Sequence, residues 1–224
     1  MKNITLFLLL TLNVKAQKDS TRTVLSIYYG QKYLSHKTFD GKLNDVYNMK
    51  FGAPISYIGI GESGSIPINR SKLKRFGHIM YTQIIPQDVK VNDTITVKIS
   101  GFNFALTYFG FDVFPNNKHL DLFISSGFNT GRLRFFGNSF LNQKNPYFSP
   151  KLSLTPRVLF GDFCFQMSID YEVDVSKKNW RKTNFSNSDK INLPQTSSTG
   201  LSLLLGVGIV IKDRKSKEAT VEEE

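Results

Sequence analysis

Lys151, Arg157, Asp170 and Glu172 form the one convincing ionic cluster in the chain, on two runs, KLSLTPRVLF and FCFQMSIDYE, that flank Gly161-Asp162. Opposite charges on paired strands can hold each other inside a closed sheet, so the four read as a charge network filling a lumen. Other candidates for chemistry are weaker. His36, His78 and His119 are over 40 residues apart and the acids near them are isolated, which is not metal-ligand spacing, so no metal or other cofactor is expected. His78 in RFGHIMYT, with a serine from a neighbouring strand, would supply the base and nucleophile of a hydrolase, provided they meet in space. Cys164 reads as a small filler, since no histidine accompanies it to make a thiolate. GIGESG matches the dinucleotide fingerprint at Gly59, Gly61 and Gly64, but SIPINR follows, and Pro67 denies the helix that would hold a pyrophosphate. The GIGESG stretch reads instead as a strand end leading into a turn.

Elements must position these residues, and the pattern is of strands throughout. In FCFQMSIDYEVDV, Phe163, Phe165, Met167, Ile169, Tyr171, Val173 and Val175 alternate with Cys164, Gln166, Ser168, Asp170, Glu172 and Asp174. Side chains of a strand point to opposite faces with period two, so one face is oily and the other polar. The same template places strands near 22–31, 52–62, 74–86, 93–111, 119–133, 150–161, 162–175 and 199–212. The 93–111 run is long enough to bend, to project or to hide a turn. Long connections are expected at 31–51, 134–149 and 176–198, with shorter ones between, the arrangement of an up-and-down barrel with long loops at one end. A turn centred on Gly161-Asp162 pairs Phe160 with Phe163, Leu154 with Ile169, Arg157 with Gln166 and Lys151 with Glu172. Pro156 cannot donate to the ladder, so a bulge or an unpaired position is expected there.

Which face meets solvent is decided by STGLSLLLGVGIVIKD. Leu201, Leu203, Leu205, Val207, Ile209 and Ile211 share one face, and Ser202, Leu204, Gly206, Gly208 and Val210 the other. Neither face is charged from Ser198 to Ile211. A large aliphatic face suits lipid and a small-residue face suits a crowded lumen, so the oily side should point outward. Tyr28, Tyr29, Tyr33, Phe109, Phe111, Phe114, Tyr147, Phe148 and Trp180 are placed to form aromatic belts at the interfaces. The expected fold is all-β, a single up-and-down transmembrane antiparallel barrel of eight strands. Eight strands enclose an interior just wide enough for side chains, so no diffusion pore is expected.

Targeting signals agree with an envelope address. MKNITLFLLLTLNVKAQ reads as a secretory signal peptide over residues 1–16, cleaved to leave a barrel domain over 17–212 and a charged periplasmic tail, within KDRKSKEATVEEE, at 213–224. The net charge is +11, from 29 Lys and Arg against 18 Asp and Glu, but the basic residues are scattered between apolar strands, which speaks against nucleic acid. SKKNWRKTNFSNSDK offers Lys177, Lys178, Trp180, Arg181 and Lys182 as loop contacts for lipopolysaccharide phosphates or for another envelope protein.

The combination of KLSLTPRVLFGDFCFQMSIDYEVDVSKKNW with STGLSLLLGVGIVI resembles the small outer-membrane β-barrel family of the Bacteroidota-type envelope, akin in architecture to OmpX and the OmpA membrane domain. The resemblance implies fold and outer-membrane location, and a non-enzymatic structural or binding role with the outer loops as its surface. Two other readings stand beside it, a lipid A modifying hydrolase and a soluble periplasmic, lipocalin-like binder of an apolar ligand.

Overall fold

The computed structural model describes residues 22–34, 54–67, 74–90, 96–114, 117, 119–136, 143–176, 180–182 and 196–212. These form nine strands: β1 (Arg22–Leu34), β2 (Ile55–Pro67), β3 (Lys74–Lys90), β4 (Thr96–Asp112), β5 (Leu120–Phe136), β6 (Gln143–Phe160), β7 (Phe163–Glu172), the two-residue β8 (Arg181–Lys182) and β9 (Gly200–Lys212). Every long strand pairs antiparallel with its neighbours in the chain, β9 pairs with both β7 and β1, and β5 pairs with β6, so the sheet closes. The result is a closed antiparallel barrel of eight long strands. β8 adds only two pairs, Lys182 with Gln143 and Arg181 with Lys144.

Closure turns the period-two pattern inside out relative to a soluble protein. Along β9, Leu201, Leu205, Val207, Ile209 and Ile211 are exposed while Ser202, Leu204, Gly206, Gly208 and Val210 are buried. Along β7, Phe163, Phe165 and Tyr171 face out, and Cys164, Gln166, Ser168, Asp170 and Glu172 face in. The inward glycines make room for rings. A Cβ on Gly206 would meet the Tyr28 ring at 2.5 Å, and one on Gly61 would meet the His78 imidazole at 3.1 Å.

The β6–β7 hairpin pairs in the expected register, from Phe160 with Phe163 to Lys151 with Glu172, but the pairs of Thr155 and Pro156 are missing from the ladder. Pairing resumes beyond them without a shift, because the imide nitrogen lacks a donor but leaves the strand extended. Irregularities that the pattern did not announce lie between Arg75 and His78, between Ile84 and Gln87, and between Thr107 and Phe109. β4 nonetheless runs unbroken from Thr96 to Asp112.

Three expectations need correction. β6 begins at Gln143, not near 150, so the connection taken to span 134–149 is mostly strand. Pro146 and Pro150 hide it in the sequence, yet both lie beyond the β7 ladder, where the partner segment is irregular and donates instead to β6 carbonyls, Val173 N–H to Pro150 and Val175 N–H to Phe148, so no proline N–H is required. GIGESG lies inside β2 and is not a strand end, since β2 continues to Pro67. Of the proposed aromatic belt, Tyr29, Tyr33, Phe109, Phe111, Phe114 and Phe148 are exposed, whereas Tyr28, Tyr147 and Trp180 are buried.

The barrel ends differ. β1 to β2 and β7 to β9 are joined at one end by the longest connections, and the two-residue turn at Gly161-Asp162 lies at the other, with Gly161 at φ 59°. We call these the loop end and the turn end.

Candidate functional site

Arg157 is fully buried and its guanidinium donates to Asp121 Oδ2 through Nε at 2.9 Å and Nη2 at 2.6 Å, with a longer bond to Ser65 Oγ at 3.3 Å. It also lies 4.9 Å from the centroid of the Phe123 ring, which stacks on Phe76. Toward the loop end, Lys151 Nζ donates to Asp170 Oδ2 at 2.9 Å, and Ser168 Oγ donates to the other oxygen of that carboxylate. Nearer still to the mouth, Lys32 Nζ pairs with Glu172 Oε2 at 2.5 Å, while Ser202 Oγ donates to Oε1 at 2.8 Å. All six charged side chains point into the lumen, stacked from the turn end to the loop end.

Geometry redistributes the partners anticipated from the hairpin. Lys151 stands opposite Glu172 in register but bonds Asp170, and Glu172 takes Lys32 of β1 instead. Lys32 and Asp121 were missed. The alternation of β1 puts Lys32 on the face of Tyr28 and Gly30, a sign available in the sequence; the pairing of Asp121 with Arg157 follows only from the β5–β6 register. Burying one ion costs several kcal/mol, and these pairs are tolerated because each carboxylate also gains short, charge-assisted hydrogen bonds.

Among the described residues, buried side chains crowd the lumen. A cavity of about 20 Å³, lined by Lys32, Tyr57, Tyr147, Glu172, Ser198 and Ser202 among others, lies near the loop end and has room for a water molecule. The described parts of the connection between β7 and β9 fold over this mouth. Asp174 accepts from the backbone N–H of Ser198 at 2.8 Å and of Ser176 at 2.9 Å. Trp180 donates from Nε1 to Thr196 Oγ1 at 2.9 Å and stacks on Phe135 at 4.7 Å, and Asn145 Nδ2 donates to the same Thr196 oxygen at 3.1 Å. The indole is therefore turned inward, toward the mouth. Arg181 and Lys182 form β8, and Lys177 and Lys178 lie outside the described residues.

His78 is 6 % exposed and faces the lumen, its ring 5.3 Å from that of Tyr28. Ser63 stands directly opposite it, but that hydroxyl is directed to Gln166 Oε1 at 3.4 Å. An imidazole enclosed by the wall cannot reach an acyl ester of a lipid outside. His119 is exposed at the turn end, and His36 lies outside the described residues. Among the described residues no group of His, Cys, Asp and Glu is arranged to hold a metal ion.

No protein-family model and no curated protein sequence matches the chain. Solved structures do. Ail, the attachment invasion locus protein of Yersinia pestis, solved with the heparin analogue sucrose octasulfate, is similar with a TM-score of 0.49 and 14 % identity, over 85 % of this chain and 99 % of that one. The outer membrane protein OprG from Pseudomonas aeruginosa is similar with a TM-score of 0.48 and 12 % identity, over 89 % of this chain and 99 % of that one. Neisserial surface protein A is similar with a TM-score of 0.42 and 11 % identity, over 86 % of this chain and 96 % of that one.

Proposed function

We propose that this protein is a non-enzymatic barrel of the outer membrane, a structural or binding component of the envelope whose loop end faces outward and carries the interaction surface. One observation carries the reading: the wall is apolar on its exposed side while ionic pairs are buried inside. A bilayer is the solvent in which that polarity is stable. Residues 1–16 act as the cleaved signal, 17–212 as the barrel, and 213–224 as a periplasmic tail, in keeping with β9 ending at the turn end. Partners are outer-membrane lipid and lipopolysaccharide, and another envelope protein at the loops. The Bacteroidota-type affiliation rests on the sequence resemblance.

A lumen packed with charged and hydroxylated side chains does not suit an apolar ligand, which weighs against the lipocalin-like alternative. The inward His78 weighs against the hydrolase. The test is fractionation of cells expressing the full chain, followed by electrophoresis with and without boiling. Sedimentation with the outer membrane and faster migration before boiling are expected; a soluble periplasmic protein with no heat-dependent shift would refute the reading.

A further inference from the structure

Two charged side chains stand on the outward side of the wall where β2 and β3 run together. Glu62 is half-buried, flanked in register by Leu25 of β1 and Ile79 of β3, and follows Ile60 on its own outward face. Among the described residues nothing pairs with its carboxylate. Arg75, on the outward face of β3, is exposed and makes one long bond, from Nη2 to the Tyr108 carbonyl at 3.4 Å. A carboxylate facing lipid is costly, and a partner of opposite charge relieves the cost.

Between the two charges lie glycines that the barrel itself does not require. Gly64 and Gly77 are directly opposite each other and both face outward. A Cβ on Gly64 would meet nothing within 4 Å, and one on Gly77 would reach only the Thr107 carbonyl, at 3.7 Å. Gly77 sits in the irregularity between Arg75 and His78 but does so without a positive φ. At every other described glycine a Cβ would come within 2.7 Å of another atom, or φ is positive. Glycine weakens a strand, and where no internal contact needs it another backbone can approach closely.

Register fixes the heights of these residues. Following paired residues from Val24 of β1 round all eight long strands returns to β1 at Leu34, ten residues nearer the loop end. A sheet with that stagger climbs about 3 Å per strand and about 2.5 Å per residue, which puts Gly77 about 2 Å and Arg75 about 7 Å below Glu62, toward the turn end. A twofold axis along the membrane normal keeps every residue at its own height and sets β2 of one copy against β3 of the other. With that axis beside the Gly64 and Gly77 pair, Glu62 of each copy passes over Gly77 of the other and reaches its Arg75. Within the single chain the two do not pair.

We propose that the β2–β3 face docks a second copy of this chain, with Gly64 and Gly77 at the axis and two symmetric Glu62–Arg75 ion pairs. The inference rests on the reading of the chain as a membrane barrel and adds its oligomeric form. Its test is sedimentation equilibrium of the processed full chain, folded in neutrally buoyant detergent micelles, over a range of protein to detergent ratios. Wild type should associate to a dimer. Gly64→Leu, whose side chain the single barrel accommodates in open space, should weaken association at least about tenfold. Arg75→Glu should weaken it by about the same factor, because like charges then face each other, and adding Glu62→Arg should restore it. Should the doubly exchanged barrel fail to fold, Glu62→Gln, expected to weaken association about fivefold, decides. A monomeric wild type, with lipid or a different membrane protein on this face, overturns the proposal, as does a dimer that Gly64→Leu and Glu62→Gln leave unaltered. Electrophoresis of the same samples with and without boiling separates the two levels: a wild type with no heat-dependent shift removes the membrane reading and the dimer with it, whereas a heat-shifting monomer removes the dimer alone.

Discussion

Arg157 shows how a side chain that is costly to bury becomes part of a core. Its guanidinium donates two N–H groups to one oxygen of a carboxylate and one to a serine hydroxyl, and lies over an aromatic face, so charge, hydrogen bonds and ring quadrupole each contribute. Replacing it by methionine keeps most of the volume but takes the Arg157 ion pair away from the buried Asp121 carboxylate. Arg157→Met is expected to destabilise the barrel by about 3 to 5 kcal/mol, measured by urea unfolding in lipid vesicles. Adding Asp121→Asn should restore part of the loss, because the buried negative charge that Arg157 balanced is then gone. A single variant as stable as wild type would mean that water already reaches this end of the lumen.

At the scale of the element, the β6–β7 hairpin encodes its own orientation. Ile169 and Ser168 are neighbours on β7 and point to opposite sides of the wall. Ile169→Arg puts a charge on the lipid face, at a cost of about 2 to 4 kcal/mol near the bilayer midplane. Ser168→Ala removes a lumen hydroxyl that bonds Asp170 and lies 3.1 Å from Thr155 Oγ1, at a cost of about 1 kcal/mol. Folding free energies in vesicles should rank the arginine variant as the more damaging; the reverse order would exchange the two faces. Pro156 leaves a gap in this ladder without moving the register, because the period-two pairing on both sides of it holds the strands in place.

For the whole molecule, closure decides whether the barrel conducts. Among the described residues buried side chains crowd the lumen, a cavity of about 20 Å³ lies near the loop end, and Trp180, Thr196 and Ser198 are buried over the mouth. Reconstituted in planar bilayers, the protein is expected to show no steady ionic conductance above the lipid baseline, in contrast to wide barrels with an aqueous channel. Sustained openings would require the segment between β7 and β9 to leave the mouth.

Polarity along each strand is legible in residue order alone, because a strand's faces alternate with period two wherever it lies. FCFQMSIDYEVDV and GLSLLLGVGIVI therefore announce an oily and a polar face, and the chemistry of the second announces which of them meets lipid. The hairpin register around Gly161-Asp162 is legible for the same reason, since a tight turn leaves one alignment that keeps like faces together. Only the tertiary structure decides that Lys32 takes Glu172, that Asp121 takes Arg157, and that Trp180 turns into the mouth. Those contacts join segments whose alignment depends on the stagger with which the whole barrel closes and on the path of a long connection, and neither leaves a local trace in residue order.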